Sequence, residues 1–150
     1  MTGYDVVTQA KKYSRVRFKH QGRTSSGLDC VGLILRVGVD LELLPPELLP
    51  VGDGCLVPAY NARPHPKLFA LVARYGDRVP MEMVDVGDVM LLHLDTPDRR
   101  PEHIAIKTNR GMIHVHPGSS ITRITEHSID LEWERRILCA FRFRGIEAHG

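Results

Sequence analysis

The sequence has no apolar stretch long enough to cross a membrane, no basic run, and few aromatic residues, which make up 6% of its 150 positions. A helix needs about 18 or more consecutive apolar residues to span a bilayer, so we expect no membrane span. The net charge is only +2, so we expect no nucleic-acid partner. The N-terminus has no basic segment followed by an apolar one, which predicts synthesis in the cytoplasm without a signal peptide.

Cysteine is also scarce, with one each at positions 30, 55 and 139. An odd number at wide spacing is not typical of a disulfide framework, and we expect free thiols in a reducing cytosol. Cys139 lies in an apolar run, which predicts a small buried side chain. Cys30 is therefore the candidate for chemistry.

The apolar pattern changes along the chain from helical to strand-like. It predicts helices over about 4–14, 29–39 and 67–75, and then strands over 89–94, 104–107, 112–115 and 136–143. Residues 45–66 contain six prolines and are predicted to form an extended crossing loop rather than a packed element. Helices followed by antiparallel strands favour an α+β fold, and the length favours a single domain over residues 1–150.

Cys30 lies where a polar, glycine-bearing loop meets an apolar helix, and Asp29 is the predicted N-cap. Unpaired backbone N–H groups and the helix dipole favour an anion at this position. We therefore expect a lowered pKa for the Cys30 thiol and a thiolate nucleophile.

A cysteine nucleophile needs a base, and the base needs a third group to orient its ring. His103 opens one predicted strand, and His114 and His116 belong to the next. An even-numbered turn between the strands places all three histidines on one face, with His103 and His114 as diagonal neighbours. An odd-numbered turn would separate them, so we predict an even turn.

Two other interpretations of the polar residues stay open. Alternate strand positions converge on one side, so a zinc site is an alternative, formed by Cys30, His103, His114 and His116. No Cys-x-x-Cys or His-Glu-x-x-His pattern supports it. The loop residues His20, Gln21 and Arg23 either form a cleft wall, with Arg23 pairing a substrate carboxylate, or belong to a loop held by its own hydrogen bonds.

Several segments resemble landmarks of the NlpC/P60 cysteine peptidases in the family's order, and most closely those of its phage tail branch. The nucleophile region is similar in the runs His-Gln-Gly-Arg (20–23) and Asp-Cys-Val-Gly-Leu (29–33). The later landmarks are Val-Gly-Asp (86–88), His-Ile-Ala-Ile (103–106), Met-Ile-His-Val (112–115) and the terminal segment 135–143. The resemblance covers most of the chain.

This resemblance implies a papain-like α+β fold with N-terminal helices packed on an antiparallel sheet. It implies hydrolysis of cell-wall peptide stems, typically between D-glutamate and a diamino acid, with no metal and no organic cofactor. Carried over by position, Cys30 is the nucleophile, His103 the general base and His114 its orienter. The residues assigned to substrate binding are Phe18, His20, Gln21, Arg23 and His116.

The phage branch further implies two kinds of partner, namely bacterial peptidoglycan peptide and phage tail-tip or baseplate proteins. It places the chain in a virion tail tip or tail-like particle, with residues 45–66 as a proline-rich insertion. A structural tail-tip assembly protein with an idle cleft is the alternative function. That alternative is motivated by Phe18, which stands where many family members have tyrosine and which has no hydroxyl to donate.

Overall fold

The computed structural model describes residues 1–60, 67–116 and 122–147. The helices are α1 (Gly3–Lys11), α2 (Cys30–Asp40), α3 (Lys67–Tyr75) and the single turn α4 (Leu131–Glu134). The strands are β1 (Arg23–Thr24), β2 (Gly27–Leu28), β3 (Gly76–Val79), β4 (Val89–Leu92), β5 (His103–Thr108), β6 (Gly111–His114), β7 (Thr125–His127) and β8 (Ile137–Phe143). None of the helices in these ranges is long and apolar enough to span a bilayer.

A six-stranded sheet carries the second half of the chain, in the strand order β3-β8-β4-β5-β6-β7. Every pairing in it is antiparallel. Helices α1 and α2 precede the sheet in sequence and pack against it through β5. The predicted α+β class is confirmed.

The central strands β4, β5 and β6 are buried on both faces of the sheet. Side chains alternate along a strand, so Ile104 and Ile106 of β5 enter the large core that contains Cys30 and the helices. Ala105, between them, belongs to a smaller cluster on the opposite face, which packs against Trp133. Strand β5 is therefore the layer between the helix core and the cluster on the other side.

Several predicted elements are confirmed, with small shifts at their ends. Helices α2 and α3 start and stop within a residue of prediction, whereas α1 stops at Lys11 instead of residue 14. The short strands β1 and β2, strands β3 and β7, and the turn α4 were not predicted. Strand β3 follows α3 without a break, and β7 has the polar sequence Thr-Glu-His at the sheet edge, so neither carries an apolar alternation.

The prediction for residues 45–66 is confirmed in part where the chain is described, up to residue 60. The segment is a loop with almost no regular structure, as predicted, but it packs against the core, which was not predicted. A short 3-10 turn covers Pro46–Leu48, and Leu48 and Val57 are buried in the core. The apolar side chains between the prolines gain more by burial than an extended loop would allow. The rest of that prediction, residues 61–66, lies outside the described residues.

Candidate active site

The start of α2 has the predicted cap. The Asp29 carboxylate accepts a hydrogen bond from the Gly32 amide at 2.6 Å, and the helix begins at Cys30. A Cβ at position 32 would lie 2.0 Å from the Gly22 carbonyl oxygen. Glycine at position 32 therefore lets the loop before the helix pass close to its first turn.

The prediction that Cys30 is a thiolate is wrong for this structure. The side chain is only 6% exposed. Burial, followed by the nearby Asp29 carboxylate, raises the pKa of the Cys30 thiol to about 12, despite the opposing effect of backbone N–H groups that include that of Ile104. The sequence indicated the helix terminus but not the depth of burial, which decides the protonation state.

The turn between β5 and β6 is even, as predicted. Thr108 pairs with Gly111 and Lys107 with Met112, so the loop has two residues. This register brings His103 and His114 together, and Nε2 of His103 lies 2.6 Å from Nδ1 of His114.

Both of these imidazoles are buried. Burial is the largest influence on each ring, and it disfavours the charged form. It lowers the pKa of His103 well below its usual value, with smaller contributions from His114 and His116. It lowers the pKa of His114 to about 3, with the neighbouring His127 and His116 adding to the effect. The pair is therefore neutral at ordinary pH.

The Cys30 thiol and the histidine pair have different neighbours. Cys30 belongs to the helix-side core together with Ile104, whereas the ring of His103 turns toward Trp133, at a centroid separation of 6.4 Å. The backbone amide of Ile104 acts on the sulfur, and no hydrogen bond joins the Cys30 sulfur to His103, both of which are described.

The loop before α2 is held by Tyr60. Arg23 binds Asp29 through Nη1 at 3.1 Å and the Tyr60 hydroxyl through Nη2 at 2.8 Å, and the same hydroxyl donates to the Asp29 carboxylate. Gln21 donates from Nε2 to the Tyr60 carbonyl at 2.7 Å, while His20 meets the Tyr60 ring edge-on. These side chains are engaged by Tyr60 and Asp29, and the interpretation of the loop as a cleft wall stays a prediction.

The remaining candidates for substrate binding have different surroundings. Phe18 packs partly buried against the core, and its backbone bridges to Leu28. The His116 ring lies 5.2 Å from that of His103, centroid to centroid. Substrate binding by these residues, and by His20, Gln21 and Arg23, stays a prediction.

No family model matches the sequence, and no curated protein matches it. Solved structures do match. An NlpC/P60 family protein from Bacillus cereus superposes with a TM-score of 0.66 at 16% identity, over 95% of this chain and 40% of that protein. The NlpC/p60 domain of the peptidoglycan hydrolase SagA gives 0.61 at 19% identity, over 95% of this chain and 100% of the domain. This chain has the NlpC/P60 fold.

A third structure agrees with these two. An NLP/P60 family protein similar to lipoproteins, from Staphylococcus aureus, gives a TM-score of 0.58 at 20% identity, over 97% of this chain and 41% of that one. The chain therefore spans less than half the length of the Bacillus cereus and Staphylococcus aureus proteins. The predicted papain-like architecture is confirmed by the NlpC/P60 fold, which by itself assigns no activity at such identities.

Two residues that the sequence analysis did not identify, His127 and Trp133, contact the histidine pair in this NlpC/P60 fold. Nε2 of His114 lies 2.7 Å from Nε2 of His127, and Nδ1 of His127 lies 2.8 Å from the Ser128 carbonyl oxygen. The Trp133 ring packs edge-on against His114, at a centroid distance of 4.9 Å. The sequence carries only a weak signal for His127, because this residue lies in a short polar segment without apolar alternation.

The zinc interpretation lacks a ligand set in this NlpC/P60 fold. Across residues 1–60, 67–116 and 122–147, no group of three or more His, Cys, Asp or Glu side chains is arranged to hold a metal ion.

Proposed function

We propose that this chain is a cysteine endopeptidase that hydrolyses the stem peptides of peptidoglycan. The observation that carries the proposal is the 2.6 Å contact between Nε2 of His103 and Nδ1 of His114. His103 begins β5, and the backbone amide of the next residue, Ile104, contacts the Cys30 sulfur, in a chain with the NlpC/P60 fold. A base whose ring is held by a second side chain is what a thiol nucleophile requires.

In the proposed reaction, neutral His103 takes the thiol proton as the Cys30 sulfur attacks the amide carbonyl. A C–S bond forms and the C–N bond breaks, and His103 passes its proton to the departing amine. The backbone N–H of Cys30 donates to the developing oxyanion. Water then hydrolyses the thioester, which restores the thiol and releases the carboxylate product.

Because the Cys30 thiol is buried, the proposed reaction can start only when a base reaches it. With its pKa raised to about 12, the Cys30 thiol stays protonated until a base removes the proton. Catalytic hydrogen bonds are commonly long before substrate binds and tighten in the complex. We therefore expect the contact between His103 and the thiol to form when the substrate peptide occupies the site.

The finer assignment rests on the sequence resemblance. The His-Gln-Gly-Arg and Asp-Cys-Val-Gly-Leu runs support a phage or phage-like tail tip, with tail-tip or baseplate proteins as partners. The proposed bond is that between D-glutamate and a diamino acid, cut during penetration of the cell wall. The chain is then made in the cytoplasm and carried in the virion, without a metal or an organic cofactor.

Digestion of defined muropeptides with mass detection tests the enzymatic proposal. Cys30→Ala should abolish cleavage, whereas Cys55→Ala, which removes a partly buried thiol, should leave it unchanged. Product masses identify the bond that is cut. Equal cleavage by wild type and Cys30→Ala would overturn the proposal, and so would no cleavage by folded wild-type protein across a panel of stem peptides.

A structural tail-tip protein with an idle cleft is the second candidate. It is favoured by the protonated, covered thiol of Cys30 and by the missing hydrogen bond to His103 among the described residues. In that case Cys30→Ala should assemble into tail particles as well as wild type does, and neither protein should cleave muropeptides. Cleavage that depends on Cys30 would exclude this candidate.

A further inference from the structure

We propose that His127 is a positioning residue that sets which ring nitrogens of His114 and His103 carry protons, and so keeps Nδ1 of His103 free to accept one. The inference deepens the proposed peptidase and rests on it for its functional meaning. The observation behind it is a chain of side-chain contacts that ends on one backbone carbonyl, that of Ser128.

A carbonyl oxygen only accepts hydrogen bonds, so this end of the chain has a fixed direction. Nδ1 of His127 lies 2.8 Å from the Ser128 oxygen and must carry the proton. In neutral His127, Nε2 is then an acceptor. That nitrogen lies 2.7 Å from Nε2 of His114, which must donate.

The same reasoning passes through the second ring. Neutral His114 with a proton on Nε2 has a bare Nδ1, and this atom lies 2.6 Å from Nε2 of His103. Nε2 of His103 must therefore donate, and in the neutral ring Nδ1 has no proton. Nδ1 of His103 is the nitrogen left to act as a base. Burial, which keeps both inner rings neutral, supports this assignment.

The direction of the chain depends on His127 because it is the only ring of the three that contacts the carbonyl. A group at position 127 that could only donate would make Nε2 of His114 an acceptor. His114 would then carry its proton on Nδ1, and His103 would carry its proton on Nδ1 as well. The base would thus be blocked without any change at His103 or His114.

The fold supports the placement of His127. Its strand pairs with β6, with Met112 opposite His127 and Thr125 opposite His114. Gly111 has a φ of 145°, and a Cβ there would lie 2.0 Å from the His127 carbonyl oxygen. Trp133 covers the cluster on one side, 5.4 Å from the His127 ring between centroids.

Nitrogen-15 NMR of histidine in the full chain reads the protonated nitrogen of each ring directly. At about pH 9, where neutral rings prevail, wild type should show protons on Nε2 of His103 and His114 and on Nδ1 of His127. His93 is an internal reference, since its Nε2 faces the Arg135 carbonyl and its Nδ1 accepts from the Asp95 amide.

Two variants separate the direction of the contacts from the mere presence of a side chain. His127→Glu supplies only acceptors, so the wild-type pattern at His103 and His114 should persist. His127→Lys supplies only donors, so both rings should carry the proton on Nδ1, while His93 stays unchanged. Muropeptide cleavage should follow the same division, with kcat lost at least about tenfold in the lysine variant and largely kept in the glutamate variant.

The outcomes are separable from those of the proposed function. If His103 carries a proton on Nδ1 in wild type, or if His127→Lys leaves both inner rings unchanged, the inference is overturned whatever the activity. If the NMR pattern is as expected but wild type cleaves no muropeptide, the proton arrangement stands and the peptidase proposal fails.

Discussion

The Cys30 sulfur interacts with the backbone amide of Ile104, the residue that follows His103 in sequence. The His103 ring contacts His114, and no hydrogen bond joins His103 to the Cys30 sulfur, both of which are described. The proposed nucleophile therefore lies against the residue next to the proposed base without being bonded to that base. The approach of the two groups is thus the step on which the proposed chemistry depends.

Thiol-modification rates should follow burial and protonation rather than position at a helix terminus. With a pKa of about 12, the Cys30 thiol is ionised in only about one molecule in 10⁴ at pH 8. Cys55 is only partly buried, whereas Cys139 is buried. Timed alkylation read by peptide mass spectrometry should therefore modify Cys55 first in the substrate-free protein.

The order of modification also tests the protonation state of the site. Raising the pH should speed modification of Cys30 throughout the alkaline range, because the thiolate fraction is still rising there. Modification of Cys30 ahead of Cys55 near neutral pH would contradict the buried, protonated thiol.

The Tyr60 hydroxyl should contribute measurably to stability. It donates to Asp29 and accepts from Arg23 at 2.8 Å, so Tyr60→Phe leaves two charged groups without a shared partner. Hydrogen bonds to charged groups contribute about 1.5–3 kcal/mol, and we expect a loss of that size in the free energy of unfolding by urea. Tyr75→Phe, which keeps the ring contact with Arg74, should change stability by less than about 0.5 kcal/mol. Equal effects of the two variants would contradict this role.

Local sequence patterns were sufficient for the elements that carry the candidate site. Asp29 precedes an apolar helical run, and the cap at the start of α2 follows from those neighbours alone. An even-numbered turn between β5 and β6 followed from requiring His103 and His114 to share a face, and the structure has a turn of two residues, Asn109 and Arg110. Both inferences depend on residues that are close in sequence or on the period of a strand.

Contacts between distant segments were not predictable in this way. Tyr60 docks on Asp29 across 31 positions, and no periodicity marks a single tyrosine in a proline-rich stretch. His127 lies on a short polar edge strand, which gives no apolar alternation. The pKa of Cys30 depends on how much of the fold covers the sulfur, and this quantity emerges only from the complete packing.

Acid should destabilise the protein through the two buried histidines. The folded-state pKa of His114 is lowered to about 3 and that of His103 lies well below 6.5, whereas both titrate near 6.5 when unfolded. Between these values the unfolded state binds more protons, so stability is complete above about pH 6.5 and falls as the pH decreases. Each such group contributes a slope of up to about 1.4 kcal/mol per pH unit.

Urea unfolding at a series of pH values measures this slope. His114→Gln removes one of the two groups and should make the decline between about pH 6.5 and pH 3 shallower. If the folded variant loses stability with decreasing pH as steeply as wild type does, His114 is not held in its neutral form in the folded protein.

Two arginines near the end of the chain form ion pairs that should differ sharply in importance. Arg142 donates to both carboxylate oxygens of Asp88, at 2.7 and 2.8 Å, and the Asp88 side chain is fully buried, at 0% exposure. Arg142→Ala leaves that charge unpaired in the interior, which we expect to cost about 3–5 kcal/mol of unfolding free energy.

Arg144 supplies the matched control, two positions further along. It pairs with Asp77 at 3.0 Å, but the Asp77 side chain is 74% exposed, and exposed pairs contribute about 0–1 kcal/mol. Arg144→Ala should therefore shift the urea midpoint only slightly. A second substitution, Asp88→Asn, should recover part of the loss caused by Arg142→Ala, because it removes the buried charge itself. If Arg142→Ala and Arg144→Ala are equally mild, water reaches Asp88 and the pair at the start of β4 does not stabilise the sheet.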